Sequence, residues 1–140
     1  MTEFTIDRLG LKGNGIANGD IFVPFSLPGE RFEGEVEDGK LLGAKRLNDS
    51  PDRVEPLCQH FGTCGGCALQ HASDAYLEDW KVDTIKRALS AQGIEATFLP
   101  IDTSPARSRR RATFSGKRTK KTTQVGFMKP DLCGLFCSLT

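Results

Sequence analysis

The sequence predicts an α+β protein, mainly β, in which a small barrel or sandwich leads into a cysteine-rich loop, one long helix and a partial antiparallel β-region. Three observations carry this reading. Short apolar stretches punctuated by Gly-rich turns fill the first third of the chain. One central segment has helical periodicity with a stop signal at each end, and a basic stretch after it alternates again like paired strands. With 140 residues, 38% of them hydrophobic, the chain can hold one medium domain or two small ones around a modest core.

Residues 1–48 supply the first β-unit. "FTIDRL" alternates roughly with period two, "LKGNGIANGD" reads as a turn or hairpin with Asn-Gly at two places, and "DIFVPF" is a compact apolar strand. "LPGE" predicts a turn, and "RFEGEVEDGKLLGAKRL" a second hairpin about Asp38-Gly39. Several short strands at this spacing fit any small β-domain, of which an oligonucleotide-binding type of barrel is a subset. Residues 49–72 form a Pro-bounded linker and the cysteine loop.

The helix is expected over residues 73–93. Ser73 can cap it, Asp74, Glu78 and Asp79 stand near the positive end of its dipole, Lys86 and Arg87 near the other, and Gly93 ends it. Leu77, Trp80, Ile85, Ala88 and Leu89 make one apolar stripe, read as core packing and not as a binding surface. Residues 94–130 begin with "TFLPID" as a strand and continue with "RATFSG" and "TQVGFM" paired around the basic turn "KRTKK". The last segment, 131–140, follows no pattern of the preceding strands.

Cys58, Cys64 and Cys67 have the spacing C-x5-C-x2-C. The C-x2-C half puts two thiolates on one tight turn, and Gly65 and Gly66 let backbone amides approach their sulfurs. Five cysteines is an odd number, which argues against a purely disulfide framework. Spacing alone leaves zinc, with His60 or His71 completing a Cys3His set, level with an iron–sulfur cluster. A redox C-x2-C of the thioredoxin kind would need a βαβ setting that is missing, and incidental buried cysteines are the unremarkable alternative. Cys133 and Cys137 are the remaining cysteines.

Charge is unevenly spread. Residues 1–100 carry 10 Lys and Arg against 16 Asp and Glu, whereas residues 101–140 carry 9 against 2, for a net charge of +1. No acid occurs between Thr103 and Pro130, where Arg107, Arg109, Arg110, Arg111, Lys117, Arg118, Lys120 and Lys121 lie. A charge run is usually a solvated face, but one without any acid favours contact with a polyanion. No stretch approaches the ~18 apolar residues that would span a bilayer, and the start of the chain lacks the layout of a secretory signal, so a cytoplasmic location is expected.

Together these residues resemble the RNA uracil-5 methyltransferases that act on 23S ribosomal RNA or transfer RNA. "SPDRVEPLCQHFGTCGGCALQH" is very similar to the cluster-binding signature of that family, followed by its helix with an aromatic residue and a lysine, here Tyr76 and Lys81. "GNGIANGDIFVPFSLPGE" resembles the TRAM module, an OB-like barrel associated with RNA. "SPARSRRRATFS" and "VGF" resemble the strands after the cluster, with Ser108-Arg109-Arg110-Arg111 where the family has Tyr-Arg-Asn-Lys. The resemblance covers about residues 4–130.

It implies that Cys58, Cys64 and Cys67 are ligands of a [4Fe-4S] cluster, with Cys137 nearest the place of the fourth ligand and Cys133 second. It implies an RNA partner, ribosomal in preference to transfer RNA, and a monomer with no membrane association. The family's catalytic half, a Rossmann-like domain that binds S-adenosylmethionine and supplies a nucleophilic cysteine and a carboxylate, has no counterpart in these residues. The chain is therefore expected to be the amino-terminal part of such an enzyme, ended by a frameshift or premature stop, and inactive alone. Two alternatives remain open at this point: a stand-alone zinc-stabilised RNA-binding module, and a non-functional truncated remnant.

Overall fold

The computed structural model describes residues 2–129 and 137–138. Five short strands open the chain: β1 (Thr2–Leu9), β2 (Gly15–Ala17), β3 (Ile21–Val23), β4 (Arg31–Glu37) and β5 (Lys40–Arg46). They close into a barrel in the order β1-β2-β3-β5-β4, with β4 returning to β1. Among the described residues β3 and β5 make the one parallel pairing, through Phe22 and Lys40. Five strands in a small closed barrel of this order are an OB-like, TRAM-like architecture. No doubly wound parallel sheet occurs among the described residues.

Side-chain alternation explains the inside of the barrel. Phe4 and Ile6 of β1 point inward, and a register shift between Ile6 and Arg8 then turns Leu9 inward in place of Arg8. Phe4, Ile6, Ala17, Ile21, Val23, Phe32 and Leu41 form the core. The β4–β5 hairpin is the expected one. Asp38 and Gly39 both have positive φ, +49° and +72°, the two-residue turn whose twist suits paired strands.

A second cluster lies at one end of the barrel. Leu9, Leu27 and Ala72 are buried there, with Leu69, Tyr76, Leu77 and Trp80 packed partly over them. This is where the barrel meets helix α1 (Asp74–Ser90). The Ser73 hydroxyl accepts the Tyr76 amide at 3.3 Å, so the expected cap is present. The apolar stripe divides, however. Leu77 and Trp80 touch the barrel cluster, while Ile85, one turn and more beyond the barrel, is 52% exposed and no helix residue is fully buried.

After the helix, residues 94–114 form no regular element, and the expected strand at "TFLPID" has no partner; Leu99 is 85% exposed. The strands that do form are β6 (Ser115–Arg118) and β7 (Thr123–Phe127), paired antiparallel about a turn closed by the Thr119 amide on the Thr122 carbonyl at 2.8 Å. The first of them starts later than "RATFSG" suggested and takes in Lys117 and Arg118. A short third strand, β8 (Cys137–Ser138), adds to β7. No helix among the described residues is long and apolar enough to cross a membrane.

Candidate metal centre

The cysteine loop leaves and rejoins the body of the protein at one place. Arg53 pairs with Ala72 as an isolated antiparallel bridge, and the Val54 amide donates to the His71 carbonyl at 2.9 Å. Residues 54–71 are thus a loop whose two ends are hydrogen-bonded together. The Ser73 amide donates to the Asp52 carbonyl at 2.8 Å, carrying the same fastening into the helix cap.

Arg53 also ties the loop to the barrel. Its side chain is largely buried, and its guanidinium engages both oxygens of Glu30, with Nη2 to Oε2 at 2.8 Å. Glu30 is wholly buried in the connection between β3 and β4. Its carboxylate accepts the amides of Leu27 at 2.9 Å and Ser50 at 3.2 Å as well. Burial alone would raise the Glu30 carboxyl; the bonds from Arg53 and from the two amides outweigh it and hold the group below its ordinary value. The same guanidinium donates to the Phe25 carbonyl at 2.8 Å. Phe25 has φ +57°, a conformation that bulky residues seldom adopt, and this bond helps to keep it there.

Phe25 packs against Phe61 and His71 of the loop. The Phe25 and Phe61 rings meet edge to face at 5.1 Å, and Phe61 lies 5.4 Å from the His71 ring. His71 is fully buried, with Nε2 3.5 Å from the Ser26 carbonyl and Nδ1 without a partner among the described residues. Burial lowers its pKa and the Arg53 charge pushes the same way, outweighing the Ser26 carbonyl and the Glu30 carboxylate. His60 is half-buried; its carbonyl accepts the amides of Thr63 at 3.1 Å and Cys64 at 2.9 Å, which turns the chain back toward the second cysteine.

Cys58, Cys64 and Cys67 are all free thiols, the first and last exposed and Cys64 half-buried. The Cys58 amide is held by the Gln70 side chain at 3.1 Å. At the C-x2-C turn, the Gly66 amide points at the Cys64 sulfur at 3.4 Å and the Gly65 amide donates to the Met128 carbonyl at 2.8 Å. A Cβ on Gly66 would stand 3.1 Å from the Phe127 ring and 3.4 Å from Cys64 Sγ, so only glycine fits without displacement. The turn is therefore fastened to the end of β7. In the next strand Cys137 is the backbone partner of Phe127, which brings that part of the chain beside the turn. The Cys137 side chain, and Cys133 altogether, lie outside the described residues.

Among the described residues no three His, Cys, Asp or Glu side chains converge closely enough to hold one metal ion. The donor chemistry suits soft metals all the same: three unpaired thiols on one turn-rich loop, with an amide already directed at one sulfur.

Part of the basic tract lies near this loop. Arg109, Arg110 and Arg111 line an open groove of about 990 Å³ together with Phe114 and Phe127, the same Phe127 that rests on Gly66. Lys117 and Arg118 lie on β6, Lys120 and Lys121 in the turn after it, and Arg107 borders a second groove of about 880 Å³ with Leu57, Cys58, Leu69 and Leu77. All eight cations are exposed, and among the described residues none is paired with a carboxylate. Sequence reasoning found the thiols and the cations but missed Glu30, Arg53 and Phe25. A lone acid in "LPGE" and a lone arginine in "PDRVEP" carry no local sign that they will be buried together.

No protein-family profile matches the chain. Similar proteins are known, however. An uncharacterized RNA methyltransferase of Rhizobium meliloti is 42% identical over 134 residues, covering 88% of this chain and 32% of the relative. Another from Brucella suis is 38% identical over 128 residues, covering 89% of this chain and 31% of the relative. A 23S rRNA (uracil(1939)-C(5))-methyltransferase of Enterobacter is 39% identical over 127 residues, 84% of this chain and 28% of that enzyme. The chain thus spans about a third of the length of the curated relatives it matches. Over most of its own length it is homologous to part of proteins named as RNA methyltransferases.

Proposed function

We propose that this chain is the cluster-carrying, RNA-holding portion of an S-adenosylmethionine-dependent RNA (uracil-5-)-methyltransferase acting on ribosomal RNA. Residues 1–48 form its TRAM-like barrel, 49–72 the linker and cluster loop, 73–93 the helix and 94–130 an incomplete basic β-region. Cys58, Cys64, Cys67 and Cys137 hold a [4Fe-4S] cluster, with Cys133 the substitute for the last. The observation that carries this reading is the double fastening of the cysteine loop. It is clasped to the barrel through Arg53 and Glu30, and its C-x2-C turn is pinned to β7 beside the strand that bears Cys137.

When bound, the cluster supplies a rigid cross-link between the loop and the β6–β8 sheet. The chain's own residues do the rest. Arg53 and Glu30 fix where the loop stands on the barrel, and the Gly66 amide stabilises charge on the Cys64 thiolate. The exposed arginines and lysines bind RNA phosphates, while Phe114 and Phe127 form the floor of their groove. Methyl transfer belongs to residues beyond this stretch in the full-length enzyme, so the chain by itself binds RNA and does not methylate it. The protein works in the cytoplasm as a monomer.

Anaerobic reconstitution with iron and sulfide tests the central claim. Brown protein with about four irons and four sulfides per chain is expected. Colourless protein that instead retains one zinc per chain would replace the cluster with a zinc-stabilised module. Substituting serine for Cys58, Cys64 and Cys67 should abolish iron uptake while leaving the barrel folded.

A further inference from the structure

Phe114 and Phe127 belong to neither of the two core clusters. They meet edge to face at 5.1 Å on a hairpin whose other described residues are exposed, apart from Gly126 and the half-buried Met128 and Lys129 beyond β7. The Phe127 ring lies beside Gly66, between Cys64 and Cys67, where a Cβ would stand 3.1 Å from it. Of the three loop thiols, Cys64 is the one withdrawn from solvent. Phe114 is 44% exposed and forms the outer of two layers.

We propose that the Phe114–Phe127 pair is a hydrophobic cover over the C-x2-C turn, which controls how fast water-borne reagents reach the Cys64 thiolate and the metal it holds. This rests on the cluster reading above and adds to it a determinant of access outside the ligands. The physical basis is general. An apolar layer over a thiolate site excludes water and sets how readily the site exchanges with solvent. Here the layer is a ring pair whose inner member would be crowded by a Cβ at position 66, and the residue after it, Met128, accepts the Gly65 amide at 2.8 Å.

The test compares the full chain with Phe127→Ala, Phe127→Leu, Phe114→Ala and, as a control on the same hairpin, Val125→Ala. Val125 is exposed on β7. Two rates are read: alkylation of Cys64 by iodoacetamide in the metal-free chain, mapped by mass spectrometry against Cys58 as internal reference, and release of iron from the reconstituted chain to a colourless-to-coloured ferrous chelator. Phe127→Ala should speed both on the order of tenfold, Phe114→Ala less, and Phe127→Leu little, because leucine keeps the apolar bulk. Unchanged rates in Phe127→Ala overturn the cover. So does an equal acceleration in Val125→Ala, which would mean that any loosening of the hairpin suffices. An unaltered chain that takes up no iron defeats the cluster reading itself, whereas iron uptake with unchanged release defeats only the cover.

Discussion

The barrel and the basic hairpin are both made of short strands, but they complete their sheets differently. The barrel closes on itself, so its inward side chains form a core and every strand has two neighbours. The hairpin of β6 and β7 has no such interior among the described residues: apart from Gly126 its strand positions are exposed or half-exposed, and it meets the cysteine turn through Phe127 and Met128. Stability and charge are thereby separated. The part with its own core carries a slight excess of acid, and the part without one carries cations that pair with no carboxylate among the described residues. A fold of this kind can hold its shape in one region and leave another free to be shaped by what it binds.

The sharpest way to break that contrast is to unfasten the barrel from the loop. Arg53→Ala leaves the buried Glu30 carboxylate without its cation and should cost about 3–5 kcal/mol, read as a lowered urea midpoint. A loss below about 1 kcal/mol would show that the ion pair is not what couples the two. Acid should weaken the same junction. The His71 pKa is lowered from 6.5 in the fold, so below that pH the unfolded chain binds a proton that the folded one refuses, and stability falls as pH drops. Glu30, held below 4.5, adds a further loss at lower pH still. Denaturation midpoints that stay flat between about pH 8 and 5 would contradict this.

The hairpin side calls for milder changes. Replacing Arg109, Arg110 and Arg111 together by alanine should reduce the slope of log affinity for single-stranded RNA against log salt by about 2, if each neutralises one phosphate. Stability should change by no more than about 0.5 kcal/mol, since all three are exposed. A large loss of stability with an unaltered slope would reverse the roles assigned to the two regions. The smallest effect is expected on the helix: Ile85→Ser, at a position already half open to water, should stay within about 0.5 kcal/mol.

What could be read from sequence follows the range of the interactions involved. The Asp38-Gly39 hairpin, the Ser73 cap and the inward alternation of Phe4 and Ile6 depend on neighbours a few residues away, and those expectations stand in the structure. The pairing of Glu30 with Arg53 joins residues 23 apart, each of which looks like an ordinary surface charge until the chain folds. The helix shows the same limit at finer scale. Periodicity marks an apolar stripe, but only the barrel's extent decides that Leu77 and Trp80 are covered and Ile85 is not. "TFLPID" has strand-forming residues and no strand beside it, and an extended segment without a partner forms no sheet. The thiol spacing was legible because the three cysteines stand within ten positions of one another in the chain.

One consequence of the bridge between Arg53 and Ala72 concerns change over time. Since residues 54–71 start and finish at a single hydrogen-bonded point, the segment behaves as an exchangeable cassette. Its interior can be lengthened or rewired between those two ends with the host barrel keeping its course.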